Sequence, residues 1–317
     1  MSSILHQILE RSDFSPVTRD KYRRVIDSWL DFAGTDPRGW TRMQAQAWYD
    51  ATLARGVSPR SANVYAASLR YVSKWYATQT GAIDFAVIQT RKSGSNGLRG
   101  VGDEAPQRAL TRPEAEALLA TCAGARTPIE HRDRTLLVLG LETGMRRMSL
   151  AGCAFERINK QTIVVPIKGP GGEVEYPVPL SDAALHAIGT WRAWLRKRDA
   201  GTIGPLFPRL TRELGPRGLF VYQLGDGISK SAIYKLVESR ARAAGIVGMH
   251  PHLLRHTFVT WRQEAGLSPI QIASITGHKT FGDEWRNMAP YVDMSVLAEQ
   301  ARNSTPPWLA ALVKEWK

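Results

Sequence analysis

The sequence predicts a mainly α-helical protein with a small antiparallel β-sheet, organised as two domains. Three observations predict it. Apolar residues recur at helical spacing through most of the chain, bracketed by capping residues. The clearest strand signal, "QTIVVPIKGPGGEVEYPVPL" (161–180), has a β-branched run, a glycine-rich turn and an alternating return, as a hairpin does. And "QTRKSGSNGLRGVGDEAPQR" (89–108) loses all periodicity and turns to glycine, serine and charge, the composition of an exposed linker.

In chain order, "SPVTRDKYRRVIDSWLDFAG" places Tyr22, Val25, Ile26, Trp29 and Phe32 on one helix face, with Ser15 as N-cap, Pro16 at the first turn and Gly34 as the stop. "TRMQAQAWYDATLARG" reads as a second helix ending at Gly56. "SPRSANVYAASLRYVSKWYATQTG" is a third, capped by Ser58, with Val64, Ala67, Leu69, Tyr71, Val72 and Trp75 as its apolar stripe. These helices make a first domain over residues 1–88, followed by the linker at 89–106. The second domain, 107–317, opens at "LTRPEAEALLATC", where Thr111 and Glu114 have the spacing of a capping box. "DRTLLVLGLETG" is a buried helix closed by Gly144, and the hairpin follows. "SDAALHAIGTWRAWLRKR" and "SKSAIYKLVESRARAAG" are amphipathic helices, the latter with Lys230, Lys235, Arg240 and Arg242 facing outward. Short helices at "HLLRHTFVTWRQEAG", "SPIQIASITGH", "MSVLAEQAR" and "PPWLAALVKEWK" complete the chain.

Charge narrows the partner. Of 317 residues, 42 are Lys or Arg and 29 Asp or Glu, a net charge of +13. The excess favours a polyanion, nucleic acid before an anionic membrane, and its spread along the chain suits a folded surface better than a disordered arm. Cys122 and Cys153 are too few for a disulfide framework or a four-cysteine zinc site, and read as small buried hydrophobes in a reducing compartment. The first residues lack the basic and apolar regions of a signal peptide, and no stretch has the length of a membrane span. The expected location is cytoplasmic and nucleoid-associated.

The densest chemistry is "HPHLLRHTFVTW" (250–261). His252 and His256 are four residues apart and share a helix face, half of a zinc site, but Leu253 stands where a catalytic Glu would follow the first His and no third ligand is near. Arg255, on the same side as His252, changes the balance, because an imidazole and a planar guanidinium together grip a phosphate. "TGMRR" sets Arg146 just past the Gly144 turn, "IKGPGG" sets Lys168 at the hairpin tip, "TGHKT" sets His278 after another glycine turn, and "NMAPYVD" sets Tyr291 before a short helix. "KGPGG" lacks the G-x-x-x-x-G-K-[ST] pattern of a nucleotide loop and serves the hairpin turn.

In that order, TG-x-R, hairpin Lys, H-x-x-R-H, GH and a lone Tyr resemble the tyrosine recombinases of the phage integrase family, over nearly the whole chain. The resemblance implies a helical core-binding domain and a mixed α+β catalytic domain that clamp DNA. It also implies a C-terminal helix that docks on a neighbouring protomer; the simpler alternative folds that helix back on its own core. Tyr291 would attack a DNA phosphate to give a 3′-phosphotyrosyl link, Arg146 and Arg255 would hold the non-bridging oxygens, His252 and His278 would hydrogen-bond or shuttle the proton, and Lys168 would protonate the leaving 5′-oxygen. No metal and no other cofactor is implied. The implied partner is double-stranded DNA with inverted-repeat sites, bound by a dimer per site and a tetramer in synapsis through a Holliday junction, as in the simple Cre, Xer and integron-type enzymes. His256 reads as structural. Base or backbone contacts are assigned to Lys21, Arg24, Arg60 and Asn63 in the first domain and to Lys230, Ser231 and Lys235 in the second. The chain departs from the family pattern twice: Ser149 stands where an acidic residue usually follows the first arginine, and the segment from His278 to Tyr291 is longer than usual. A type IB topoisomerase-like nicking-closing enzyme and a non-catalytic DNA-binding regulator are the competing functions.

Overall fold

Serine and threonine side chains cap most of the longer helices, and the chain divides into two units. One unit covers residues 1–103 and the other nearly everything from Glu104 onward. The computed structural model describes residues 4–11, 14–91, 108–124, 126–169, 172–197, 203–214, 220–277 and 294–316.

In the first unit a 3-10 segment, Ile4–Glu10, precedes α1 (Pro16–Ala33), α2 (Arg42–Ala54) and α3 (Pro59–Thr80). Ser15 Oγ accepts from Thr18 N at 3.2 Å, Thr41 and Gln44 form a capping box, and Ser58 Oγ accepts from Ser61 N at 3.2 Å, each satisfying donors that a helix start leaves open. Tyr22, Val25, Ile26 and Trp29 of α1 are buried as predicted, and Trp29 stacks on Phe85 with centroids 5.1 Å apart. Phe32 does not follow them: it is 45% exposed. The α3 stripe is also corrected. Its buried face is Ala62, Ala66, Leu69, Val72, Ser73 and Tyr76, while Val64 and Tyr71 are 46% and 40% exposed. Small residues line the inner face because α3 packs closely on α1, and positions 60, 64, 67 and 71 repeat along the opposite one. Gln89 N and Arg91 N donate back to Gln46 Oε1 at 2.7 Å and Tyr49 Oη at 3.0 Å, so this unit reaches Arg91.

The second unit is built on α5 (Pro128–Thr143), a helix buried on all sides. Around it lie α4 (Arg112–Ala120), α6 (Arg147–Ala151), α7 (Asp182–Arg196), α8 (Lys230–Ala243), α9 (Pro251–Glu264), α10 (Pro269–Thr276), α11 (Met294–Asn303) and α12 (Pro307–Lys314). α5 packs on α7 and α9. Strands β1 (Thr162–Gly169) and β2 (Gly172–Pro179) pair into the expected hairpin. The sheet content exceeds the expectation by a second two-stranded antiparallel sheet, β3 (Pro208–Leu214) with β4 (Phe220–Gly227), whose ladder runs from Pro208 opposite Gly227 to Leu214 opposite Phe220. The sequence hides it because β3, "PRLTREL", mixes charge with few β-branched residues, and strand propensity reflects context more than backbone preference.

One further expectation changes here. Arg240 does not face outward. Its Nη2 donates to Asp133 Oδ2 at 2.8 Å, and Arg132 Nη2 donates to Asp133 Oδ1 at 2.8 Å, a largely buried bridge between α5 and α8. The C-terminal helix α12 lies on its own domain: Leu309, Val313 and Trp316 are buried in the same core as α7, and the Arg134 guanidinium sits over the Trp316 ring at 4.4 Å. Those three apolar side chains find their burial within the chain that carries them.

Candidate active site

The site grows from the C-terminal turn of α5. Gly144 takes the left-handed conformation, φ +58°, that ends a helix, and an added Cβ would meet Phe258 Cδ1 of α9 at 2.5 Å. The glycine therefore both turns the chain and lets α9 approach. Two residues on, Arg146 sits at the N-cap of α6, half-buried, and burial lowers its pKa.

α9 supplies the partners. Arg255 is 3% exposed, and its Nη1 donates to Gly144 O at 2.5 Å, a cation on the partially negative end of α5. Burial first, and Arg146 second, push its pKa down to about 9, so it is still protonated at neutral pH. His252, one turn earlier and exposed, has its pKa lowered by desolvation and then by the neighbouring His256, Arg255, His250 and Arg146. The His252 ring meets the His256 ring edge to face at 4.8 Å and lies 6.4 Å from that of His250. The sequence-predicted Arg146, His252 and Arg255 are thus brought together.

Two ties bring the other motifs toward this turn. Ser149 is buried in α6, and its Oγ donates to Pro166 O of β1 at 2.7 Å. Beside it, an added Cβ on Gly152 would meet Pro166 Cγ at 2.4 Å, so α6 rests closely on the strand. Lys168 is two residues further along β1. From β2, the Tyr176 hydroxyl donates to Ser274 O of α10. At the end of α10, Gly277 (φ +61°) lies so near the hairpin that an added Cβ would be 3.1 Å from Ile167 Cδ1 and 3.3 Å from Tyr176 Cδ1. The strand that carries Lys168 therefore abuts the residue before His278. His278 and Tyr291 lie outside the described residues, as does the Lys168 side chain.

Of the proposed DNA contacts, Lys230, Ser231 and Lys235 are exposed on α8. Lys230 lines a cleft of about 370 Å³ together with Arg146, Arg147, Tyr234, His250 and His252. In the first unit Arg24 and Arg60 are exposed, and the Lys21 ammonium lies over the Tyr22 ring at 4.8 Å. Asn63 is corrected. Its Oδ1 accepts from Tyr49 Oη at 2.6 Å and its Nδ2 donates to Arg91 O at 2.9 Å, so both ends of the amide hold the domain together.

Sequence reading misses Ser149 as a tie, Tyr176, and a buried pair of Glu142 and Arg262. The last left a signal: a carboxylate closing the apolar run "LLVLGLE" of a buried helix needs a partner.

The description "Phage integrase family" fits residues 108–282, more than half of the chain. The chain is 26% identical over 275 residues to the tyrosine recombinase XerC of Haemophilus influenzae strain PittEE, covering 83% of each protein. It is 27% identical over 284 residues to the tyrosine recombinase XerD of Bifidobacterium longum strain NCC 2705, covering 87% of each. Among solved structures, the Tn1549 transposon integrase in complex with transposon right end DNA superposes with a TM-score of 0.61 at 18% identity, over 94% of this chain and 96% of that one. The XerH recombinase bound to palindromic difH in a post-cleavage complex gives 0.59 at 18% identity, over 90% and 79%.

Proposed function

This chain belongs to the phage integrase family and is a site-specific recombinase of the tyrosine type, and from that premise we propose its chemistry and the residues that carry it. The Tyr291 phenol attacks a DNA phosphate. The P–O bond to the 5′-oxygen breaks, Tyr291 becomes linked to the 3′-phosphate, and the liberated 5′-oxygen takes a proton from Lys168. Phosphoryl transfer spreads negative charge over the equatorial oxygens, and fixed donors aimed there supply most of the catalysis. Arg146 and Arg255 are those donors. A phenol with an ordinary pKa of about 10 is a poor nucleophile at neutral pH. His252, whose pKa is lowered by burial and then by its neighbours, and His278 receive or relay its proton. The bond energy is kept in the phosphotyrosyl link, so a second 5′-hydroxyl rejoins the strand without ATP, and no step calls for a metal.

The observation that carries this reading is the joining of Arg146, His252 and Arg255 around the Gly144 turn, with the Lys168 strand tied to the same frame through Ser149 and to α10 through Tyr176. Solved neighbours include a lambda integrase dimer on a core site and a lambda integrase tetramer on a Holliday junction. We take the same course for this chain: two protomers on an inverted-repeat site, four in synapsis, exchange through a Holliday junction, in the cytoplasm at the nucleoid. Among the described residues no helix is long and apolar enough to cross a membrane.

The test is to trap covalent adducts on fragmented DNA of the source organism, with Tyr291→Phe in parallel, and to sequence the linked fragments. Adducts at one inverted-repeat sequence, lost in the variant, are expected. Adducts spread without sequence preference would point instead to a nicking-closing enzyme, and DNA binding without adducts to a regulator.

A further inference from the structure

The C-terminal turn of α5 carries a carboxylate that the proposed chemistry does not use. Glu142 is fully buried, and so is Arg262 of α9. Glu142 Oε2 accepts from Arg262 Nη2 at 3.2 Å and from Thr305 Oγ1 at 2.7 Å. Arg262 Nη2 also donates to Glu142 O at 3.3 Å, its Nη1 donates to Ser304 O at 2.5 Å, and its guanidinium lies over the Phe258 ring at 4.9 Å. Among the described residues, Glu142 Oε1 and Arg262 Nε have no hydrogen-bond partner. Burying two charges costs desolvation that their attraction seldom exceeds, and apolar side chains of similar volume hold a core as well or better. Stability alone therefore gives no reason for this pair.

Its position does. Arg255 and Arg262 are two turns apart and on one face of α9. Arg255 holds the carbonyl of Gly144, and Arg262 holds the carbonyl and carboxylate of Glu142. α9 thus grips the turn that delivers Arg146 at two points. On its other side the same pair reaches Ser304 and Thr305, the link between α11 and α12. α11 begins at Met294, three residues past Tyr291. One buried pair therefore connects the phosphate-gripping turn to the chain that leads away from the tyrosine.

We infer that Glu142 and Arg262 are positioning residues, which keep the Arg146 turn and the link behind Tyr291 in one frame so that nucleophile and phosphate clamp hold a fixed spacing. The inference rests on the roles proposed above for Tyr291, Arg146 and Arg255; Glu142 and Arg262 act through those groups. The test uses the full chain and the DNA recovered by adduct trapping. Wild type, E142Q, R262M and the double variant E142L/R262M are compared for DNA affinity, melting temperature and single-turnover adduct formation. A misplacement of about 1 Å costs on the order of 100-fold in rate, so adduct formation is expected to slow by about that factor in every variant while affinity stays within about twofold. The double variant is expected to melt at or above wild type. A double variant that regains both the melting temperature and the wild-type rate would overturn the inference, as would single variants that cleave at the wild-type rate. Where a single variant does not fold, the double variant decides alone. A wild-type chain that yields no adduct overturns the proposed chemistry, and this inference with it.

Discussion

Replacing Gly144 with alanine probes the turn on which the site is built. Two penalties combine. The residue has φ +58°, where an L side chain costs roughly 1–2 kcal/mol. The new Cβ would stand 2.5 Å from Phe258 Cδ1, 2.9 Å from Phe258 Cγ and 3.2 Å from Thr276 Cγ2. Phe258 is fully buried against Ile272, Ile275 and Leu297 and has no room to swing away, so overpacking adds about 1–3 kcal/mol. The sum is about 2–5 kcal/mol, which for a domain of this size lowers the melting temperature by roughly 5–15 °C. Gly245→Ala is the control. Gly245 has φ +74° but nothing within 4 Å of an added Cβ, so only the conformational cost of roughly 1–2 kcal/mol applies. Thermal unfolding of the two variants side by side isolates the packing component. Because Gly144 O is the acceptor for Arg255, Gly144→Ala should also slow adduct formation while Gly245→Ala leaves it unchanged. Equal melting temperatures for the two variants would refute the close approach of α9 to the turn.

Ser149→Ala removes the donor to the partly buried Pro166 carbonyl and should cost about 0.5–1.5 kcal/mol, read by urea unfolding, with adduct formation falling as the Lys168 strand loosens. The lowered pKa of His252 makes stability depend on pH: the unfolded chain binds that proton near the ordinary histidine value of about 6.5 and the folded chain only at lower pH, so stability falls on acidification through that window. His252→Gln should flatten the profile of melting temperature between pH 5 and 8. Lys230→Ala should weaken DNA binding and reduce the slope of log affinity against log salt by about 0.9, the loss of one phosphate contact, as measured by fluorescence anisotropy across a salt series.

Much of the frame was legible in the sequence because local signals agree with the tertiary structure there. Ser15, Thr111, Gly34 and Gly144 cap or stop helices by chemistry confined to a few residues, and the structure uses each of them so. The errors share one cause. Phe32, Val64 and Tyr71 were placed inside because they are apolar, but which face of a helix is buried depends on what packs there, and α3 turns a face of Ala62, Ala66 and Ser73 inward. Arg240, polar and so expected outside, is engaged with a partner distant in sequence, Asp133. Partners separated by tens to a hundred residues leave no periodicity to read. Arg146, His252 and Arg255 were legible for the opposite reason: each sits at a fixed distance from a glycine turn or on a helix face that the sequence itself defines.

Ser149 shows how such a site is held without a carboxylate at that position. A carboxylate beside Arg146 and Arg255 would offset part of their charge. The serine hydroxyl is neutral and is directed at the backbone of β1, so its contribution is geometric. Arg255 is met instead by an acceptor of the main chain, Gly144 O at the negative end of α5, and the Glu142 carboxylate lies one step back, against Arg262. The Arg255 pKa is lowered first by burial, and the repulsion from the nearby like charge of Arg146 adds to that. On the proposed chemistry, a phosphate between them would relieve that repulsion more than it would if a carboxylate already offset the pair. On the same reading, the tie from Ser149 to Pro166 holds the strand that carries Lys168 against α6.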